Sequence, residues 1–148
     1  MSYQHGGGHA ADLLAVDAYA LLANETSSVL IDVRTQAEWT YVGTPNLEPL
    51  EKAPLFLEWQ SFPSMRVNED FAGRLERMLQ SAGVERGATL VFLCRSGARS
   101  SHAADAMTSA GWAPCINISD GFEGSLDASR QRGRAGGWKA AGLPWMQT

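Results

Sequence analysis

Long apolar runs are missing from this chain. None approaches the roughly 20 residues needed to cross a bilayer. The N-terminus, Met1 to His9, has neither the basic start nor the apolar stretch of a secretory leader. Cysteine is scarce, with two in 148 residues. That excludes a disulfide framework and, without matching histidine pairs, a zinc site. Basic charge is also short: 12 Lys and Arg face 16 Asp and Glu, for a net charge of −4. A basic face for nucleic acid is therefore not expected. Internal repeats, heptads and low-complexity tracts are absent. The expectation left by these absences is a cytoplasmic domain with no nucleic-acid and no membrane partner.

What is present is enough for a core. Hydrophobic residues make up 45% of the chain, and a domain of this size buries roughly 70% of its unfolded surface. The organisation expected is a flexible segment over 1–14 followed by a single domain over 15–148. Charge is uneven: residues 1–127 carry 8 basic and 16 acidic side chains, whereas 128–148 carry Arg130, Arg132, Arg134 and Lys139 with no acid. The basic tail reads as charge compensation in a solvated loop; the sharper alternative is a lining for a small anion.

Three short β-rich runs, Val29–Val33, Leu90–Leu93 and Cys115–Ile118, suit strands buried in a parallel sheet. Helical periodicity lies between them. Asp17 reads as an N-cap, with Val16 and Leu21 placed as a hydrophobic staple. Over 69–82, Phe71, Leu75, Met78 and Leu79 share one face, with Gly83 as the stop. Over 100–110, Ala103, Ala104, Met107 and Ala110 share another, with Gly111 as the stop. Alternating strands and helices predict an α/β fold, a mainly parallel central sheet with helices on both faces. Ligands of such folds bind beyond the C-terminal strand ends.

That rule points to Cys94, directly after Leu90–Leu93. The segment Cys94-Arg95-Ser96-Gly97-Ala98-Arg99-Ser100 leads from a strand through a tight turn into a helix N-terminus. Backbone N–H groups there converge on one point and favour an anion, such as a thiolate. An ordinary cysteine is only about 3% thiolate at pH 7, and raising that share to about three-quarters takes about 2.7 kcal/mol. One unit charge near 4 Å supplies up to ~4 kcal/mol before desolvation. Two arginines and a helix terminus therefore suffice for a nucleophilic cysteine. The bland alternative, an inert buried cysteine ending a strand, does not account for the arginines and glycine around it.

With these residues in view, the chain resembles a rhodanese domain, of the sulfurtransferase family, over about residues 15–145. Val29 to Arg34 with Glu38 and Trp39 resembles the family's first strand and following helix. Cys94 to Ser100 resembles its active-site loop, and Trp138-Lys-Ala-Ala-Gly-Leu-Pro-Trp145 its C-terminal signature. The resemblance implies a rhodanese-like fold and ping-pong transfer. Cys94 takes the outer sulfur of a small anionic donor such as thiosulfate, and a thiol or protein acceptor removes it from the persulfide. It also implies that the main chain of Arg95, Ser96, Gly97, Ala98, Arg99 and Ser100 holds the persulfide. Arg95 and Arg99 bind the donor and the departing sulfite, and no metal or organic cofactor is needed. Related phosphatases have five residues between Cys and Arg where this chain has four, a tighter cradle suited to one sulfur atom. A non-catalytic interaction or sulfur-delivery module is the third reading. The chain departs from the family in lacking a His at Gly43-Thr44-Pro45, and in its segments 55–63 and 125–137, which are expected to fringe the mouth and select the acceptor.

The remaining residues are read conservatively. Cys115 is expected in the core; a resolving thiol for Cys94 would need disulfide reach. His102 is expected on a helix surface, and His5 and His9 in a tail. Asp32 is expected in a structural cluster with Arg34 and Glu38. The tryptophans are expected to pack, with Trp59 and Phe62 the two that could reach a partner.

Overall fold

Each β-rich run alternates its side chains between two directions, and each direction finds its own apolar layer. The computed structural model describes residues 8–147. In chain order the elements are β1 (Ala11–Leu13), α1 (Ala15–Asn24), β2 (Val29–Asp32), α2 (Gln36–Val42), β3 (Thr44–Pro45), a 3-10 turn (Glu48–Leu50), β4 (Leu55–Phe56), β5 (Gln60–Ser61), β6 (Arg66–Val67), α3 (Phe71–Ser81), β7 (Leu90–Leu93), α4 (Ala98–Ser109), β8 (Cys115–Ile118) and β9 (Trp145–Met146). The main sheet has the order β1-β8-β7-β2-β4, and all four neighbouring pairs are parallel. Ile31, Phe92, Cys94 and Cys115 pack with Phe71 and Leu75 of α3 and Ala103 and Met107 of α4. Leu30, Val91, Leu93 and Ile116 pack on the other side with Ala18 and Leu22 of α1 and with Phe122 and Trp138. This is the expected α/β arrangement with both sheet faces covered.

The helices follow the predicted faces with shifted ends. α3 buries Phe71, Leu75 and Leu79, and α4 buries Ala103, Ala104 and Met107. Ala110 is the exposed C-cap of α4 rather than part of its buried stripe. Helix α1 begins two residues before Asp17, which lies in the first turn and caps nothing. The N-terminal amide of Ala15 instead donates to Asp120 Oδ1 at 2.8 Å. Asp120 follows β8, so a parallel neighbour delivers a cap that local sequence cannot show.

Two further expectations are corrected at the edges. The domain does not begin at residue 15: Ala11–Leu13 pairs with Ile116–Ile118 as an edge strand. His9 is buried, with Nδ1 2.5 Å from Asp105 Oδ1 and Nε2 2.9 Å from Asp12 Oδ1, tying β1 to α4. Burial alone would raise the Asp105 carboxyl, but hydrogen bonds and charge from His9 hold it below its ordinary value. Residues 1–7, with His5, lie outside the described residues. At the opposite edge, Leu55–Phe56 of the segment expected at the mouth is a strand of the main sheet, and the β5–β6 hairpin follows it. Among the described residues no helix is long and apolar enough to cross a membrane.

The capping assignment is testable. Asp120→Ala should cost about 1–2 kcal/mol in urea unfolding, while Asp17→Ala should cost at most about 0.5 kcal/mol through the helix dipole. The reverse ranking would return the cap to Asp17.

Candidate active site

β2 and β7 end in register, Asp32 opposite Leu93, so Val33 and Cys94 leave the sheet together at its C-terminal edge. Cys94 is 1% exposed. Its Sγ accepts the Gly97 amide at 3.1 Å and lies 3.1 Å from Ser100 Oγ. The sulfur thus sits at the start of α4, where first-turn amides have no carbonyl partner within the helix.

The loop keeps this shape because its carbonyls are held from behind. Phe122 N donates to the Cys94 carbonyl at 2.8 Å, and Glu123 N to the Arg95 carbonyl at 3.0 Å. With those two carbonyls turned away, the loop amide that meets the sulfur is that of Gly97. Two glycines permit the close approach. Gly97 has φ of +106°, and a Cβ there would lie 2.4 Å from the Ser119 carbonyl oxygen. Gly121 has φ of +64°, and a Cβ would lie 2.3 Å from the Arg95 carbonyl oxygen. The C-terminal motif supports the clasp in turn. The buried Trp138 donates its backbone N–H to the Gly121 carbonyl at 2.9 Å and its Nε1–H to the Pro144 carbonyl at 2.7 Å.

A cavity of about 550 Å³ opens over the loop, lined by Cys94, Arg95, Ser96, Ala98 and Arg99 together with Glu38, Val42, Phe62 and Met65. The two arginines behave differently there. Arg99 makes a bidentate pair with Glu38, Nη1–Oε1 at 2.7 Å and Nη2–Oε2 at 3.0 Å. Arg99 therefore lines the cavity as an ion pair, not as the bare cation expected from the sequence. Arg95 is exposed, and among the described residues no carboxylate lies within ion-pair distance of it. Glu38 also closes a capping box with Thr35 at the start of α2. Burial would raise its carboxyl, but the hydrogen bonds and charge of Arg99, with Thr35 added, leave it below its ordinary value. For Arg99, burial would lower the guanidinium, and Glu38, with smaller contributions from Cys94 and Asp32, raises it instead.

Glu38 is thus not part of the Asp32–Arg34 cluster. That pair is fully buried: Arg34 Nε and Nη2 reach Asp32 at 3.0 and 2.7 Å, Nη2 also reaches the Gly43 carbonyl, and among the described residues Nη1 is left without a hydrogen-bond partner. Cys115 is buried, donates to the Trp112 carbonyl, and burial pushes its thiol up to about 11, against a smaller opposing hydrogen bond with Thr108. Cys115 pairs with Leu90 in the sheet. Cys94 therefore lies about four residues further along, roughly 13 Å away, beyond disulfide reach. His102 is exposed on α4. Trp59 packs edge-to-face on Phe71 at 5.0 Å, so of the two residues expected to reach a partner only Phe62 remains open.

The sequence pointed to the loop but not to two of its supports, Asn117 and the Glu38–Arg99 pair. Asn117 Oδ1 lies 2.5 Å from Ser100 Oγ, and its Nδ2 donates to Asp12 and to the Gly97 carbonyl. A buried polar residue within the run Cys115-Ile-Asn-Ile was the only signal available.

Known proteins give the arrangement a context. The family model described as the STR4 middle domain matches residues 12–148. Uncharacterized protein RC0915 of Rickettsia conorii is 38% identical over 135 residues, 91% of this chain and 96% of that protein. Rhodanese-like domain-containing protein 4, chloroplastic, of Arabidopsis thaliana is 26% identical over 133 residues, 90% of this chain but 25% of that protein. The crystal structure of Rv0390 from M. tuberculosis superposes with a TM-score of 0.85 at 40% identity, covering 95% of this chain and 99% of that one.

The Glu38–Arg99 pair predicts a pH dependence. A carboxyl held below its ordinary 4.5 adds stability that is present above that value and lost as pH falls through the folded-state value. Glu38→Gln should therefore show a smaller loss of stability between about pH 5 and pH 2 than the parent chain in urea melts. Equal losses would mean that the pair contributes nothing.

Proposed function

The chain belongs to the STR4 middle-domain family, and from that premise we propose that it is a rhodanese-type sulfurtransferase carrying sulfane sulfur on Cys94. The observation that carries the reading is the sulfur itself, 3.1 Å from both the Gly97 amide and Ser100 Oγ at a helix N-terminus. That setting stabilises negative charge on one sulfur atom.

In the forward half-reaction the Cys94 thiolate attacks the outer sulfur of thiosulfate. A sulfur–sulfur bond forms to Cys94, and the bond to the sulfonyl sulfur breaks with its electron pair leaving on sulfite. The persulfide keeps the negative charge, held by the loop from Arg95 to Ser100. An acceptor thiolate then attacks the outer persulfide sulfur, and the Cys94 thiolate departs. Arg95, exposed at the rim, meets the donor's charge as it arrives. Arg99, engaged by Glu38, fixes the first turn of α4 against α2 and so holds the loop's frame.

The same geometry speaks against phosphoryl transfer. Four residues separate Cys94 from Arg99, and the guanidinium that would face phosphoryl oxygens is already occupied by a carboxylate.

Intact mass is the direct test. Reduced protein treated with thiosulfate should gain one sulfur atom, and Cys94→Ser should gain none. Thiosulfate consumption by folded Cys94→Ser at the parent rate would remove Cys94 from the mechanism. No gain with thiosulfate or an alkyl persulfide would leave the interaction-module reading in its place.

A further inference from the structure

Strand β8 carries one carboxamide, Asn117, in a run whose four positions are all buried. A buried parallel strand accepts such a side chain only when its polar atoms are used. Asn117 pairs with Phe92 of β7, two residues before Cys94, and side chains two apart on a strand share a face. Its Nδ2 donates to Asp12 Oδ1 at 2.9 Å and to the Gly97 carbonyl at 3.2 Å, and its Oδ1 accepts from Ser100 Oγ at 2.5 Å. A carboxylate and a carbonyl only accept, which fixes the nitrogen toward them and the oxygen toward Ser100.

These bonds meet the partners of the sulfur. The Gly97 amide and Ser100 Oγ each lie 3.1 Å from Cys94 Sγ, and Asn117 holds both residues. The amide is fixed by the backbone, but a serine hydroxyl turns among staggered positions. In a helix it can bond instead to the carbonyl three or four residues back. For Ser100 the carbonyl three back is that of Gly97, which already accepts the Ser101 amide at 3.2 Å and Asn117 Nδ2 at 3.2 Å. Both of its lone pairs are therefore taken. Asn117 closes that alternative with its nitrogen and grips the hydroxyl with its oxygen, so that Oγ stays beside the sulfur.

We propose that Asn117 is a positioning residue for sulfur transfer, which by holding the Ser100 hydroxyl against Cys94 Sγ favours the sulfur anion over the thiol. The proposal rests on the sulfurtransferase reading for the reaction it serves, whereas its effect on the sulfur is measurable without turnover. The hydroxyl has one proton for two acceptors, and a charged acceptor makes the stronger bond. An Oγ kept in place therefore serves the anion more than the neutral thiol. Without Asn117, the Gly97 carbonyl loses a donor and the Ser100 hydroxyl turns to it, away from the sulfur.

The readout is the rate of Cys94 alkylation by iodoacetamide at about pH 5 divided by its alkaline plateau, followed by peptide mass, a ratio from which access to the sulfur cancels. Asn117→Ala and Ser100→Ala should each lower the ratio roughly tenfold, the scale of one hydrogen bond to a charged group. Because Asn117 acts through Ser100, Asn117→Ala should change the ratio less than about twofold in a Ser100→Ala background. Asp12 loses the same donor in both backgrounds, and Arg99 with Glu38 is unaltered in every variant, so the double comparison isolates the hydroxyl. Circular dichroism checks the fold, and Asn117→Ser, too short to reach either partner, takes the place of an alanine variant that does not fold. Loading of Cys94 by thiosulfate should slow in the same variants. An unchanged or raised ratio, or an equal fall in both backgrounds, overturns the proposal and leaves the sulfurtransferase reading in place. If folded parent protein takes no sulfur from thiosulfate or an alkyl persulfide, that reading falls and the proposal falls with it.

Discussion

The structure turns on the grip of the 120–124 turn on the carbonyls of Cys94 and Arg95. A loop that turns the Gly97 amide to the Cys94 sulfur sends the Cys94 and Arg95 carbonyls the other way, and buried carbonyls need donors. Phe122, Glu123 and Gly124 supply them. The turn is held in its own right: Asp120 takes the Ala15 amide through one oxygen and the Gly137 amide through the other, and Trp138 N–H holds the Gly121 carbonyl. The C-terminal motif is thus distant in sequence from Cys94 and two hydrogen bonds away in space. Its buried indole, edge-to-face with Tyr19 at 5.6 Å, gives the clasp a fixed base.

Charge around the Cys94 loop is largely matched within the fold. Arg34 is spent on Asp32 and on the α2 terminus, with its guanidinium 4.2 Å from the Phe122 ring centroid. Arg99 is matched by Glu38. Buried or half-buried pairs of this kind lose much of their attraction to desolvation, so their value here lies in geometry. One fixes the exit of β2 against α2, and the other fixes α4 against α2. What remains toward solvent is Arg95, exposed and next to Cys94 in the chain.

The legible part of the sequence was the part set by local pattern. The short β-rich runs at Val29–Val33, Leu90–Leu93 and Cys115–Ile118 marked the interior strands, and the 3.6-residue periodicity marked the inner faces of α3 and α4. Cys94 at a strand end before Gly97 and a helix was readable because its parts are contiguous. Features made by parallel neighbours were not. Asp120 caps α1 from 105 residues away, and nothing near Ala15 marks that. His9 sits behind three glycines and looked like tail, yet Asp105 on α4 and Asp12 bury it as a ligated imidazole. Arg99 was credited with a free charge because Glu38 is 61 residues distant. The pairing is visible only once α2 and α4 are side by side.

The polar atoms around the sulfur can be counted to the last hydrogen. Asn117 has two amide hydrogens, and both are placed, on Asp12 Oδ1 at 2.9 Å and the Gly97 carbonyl at 3.2 Å. Its oxygen must then face Ser100, whose single hydroxyl proton it receives at 2.5 Å. That leaves Ser100 Oγ, 3.1 Å from Cys94 Sγ, with one proton for two acceptors, whereas the Gly97 N–H is given to the sulfur alone. Ser100 is thus restrained from behind by Asn117, and through it by Asp12 of β1 and by His9 just before that strand. Residues at the margin of the sheet thereby take part in setting how the Cys94 sulfur is held.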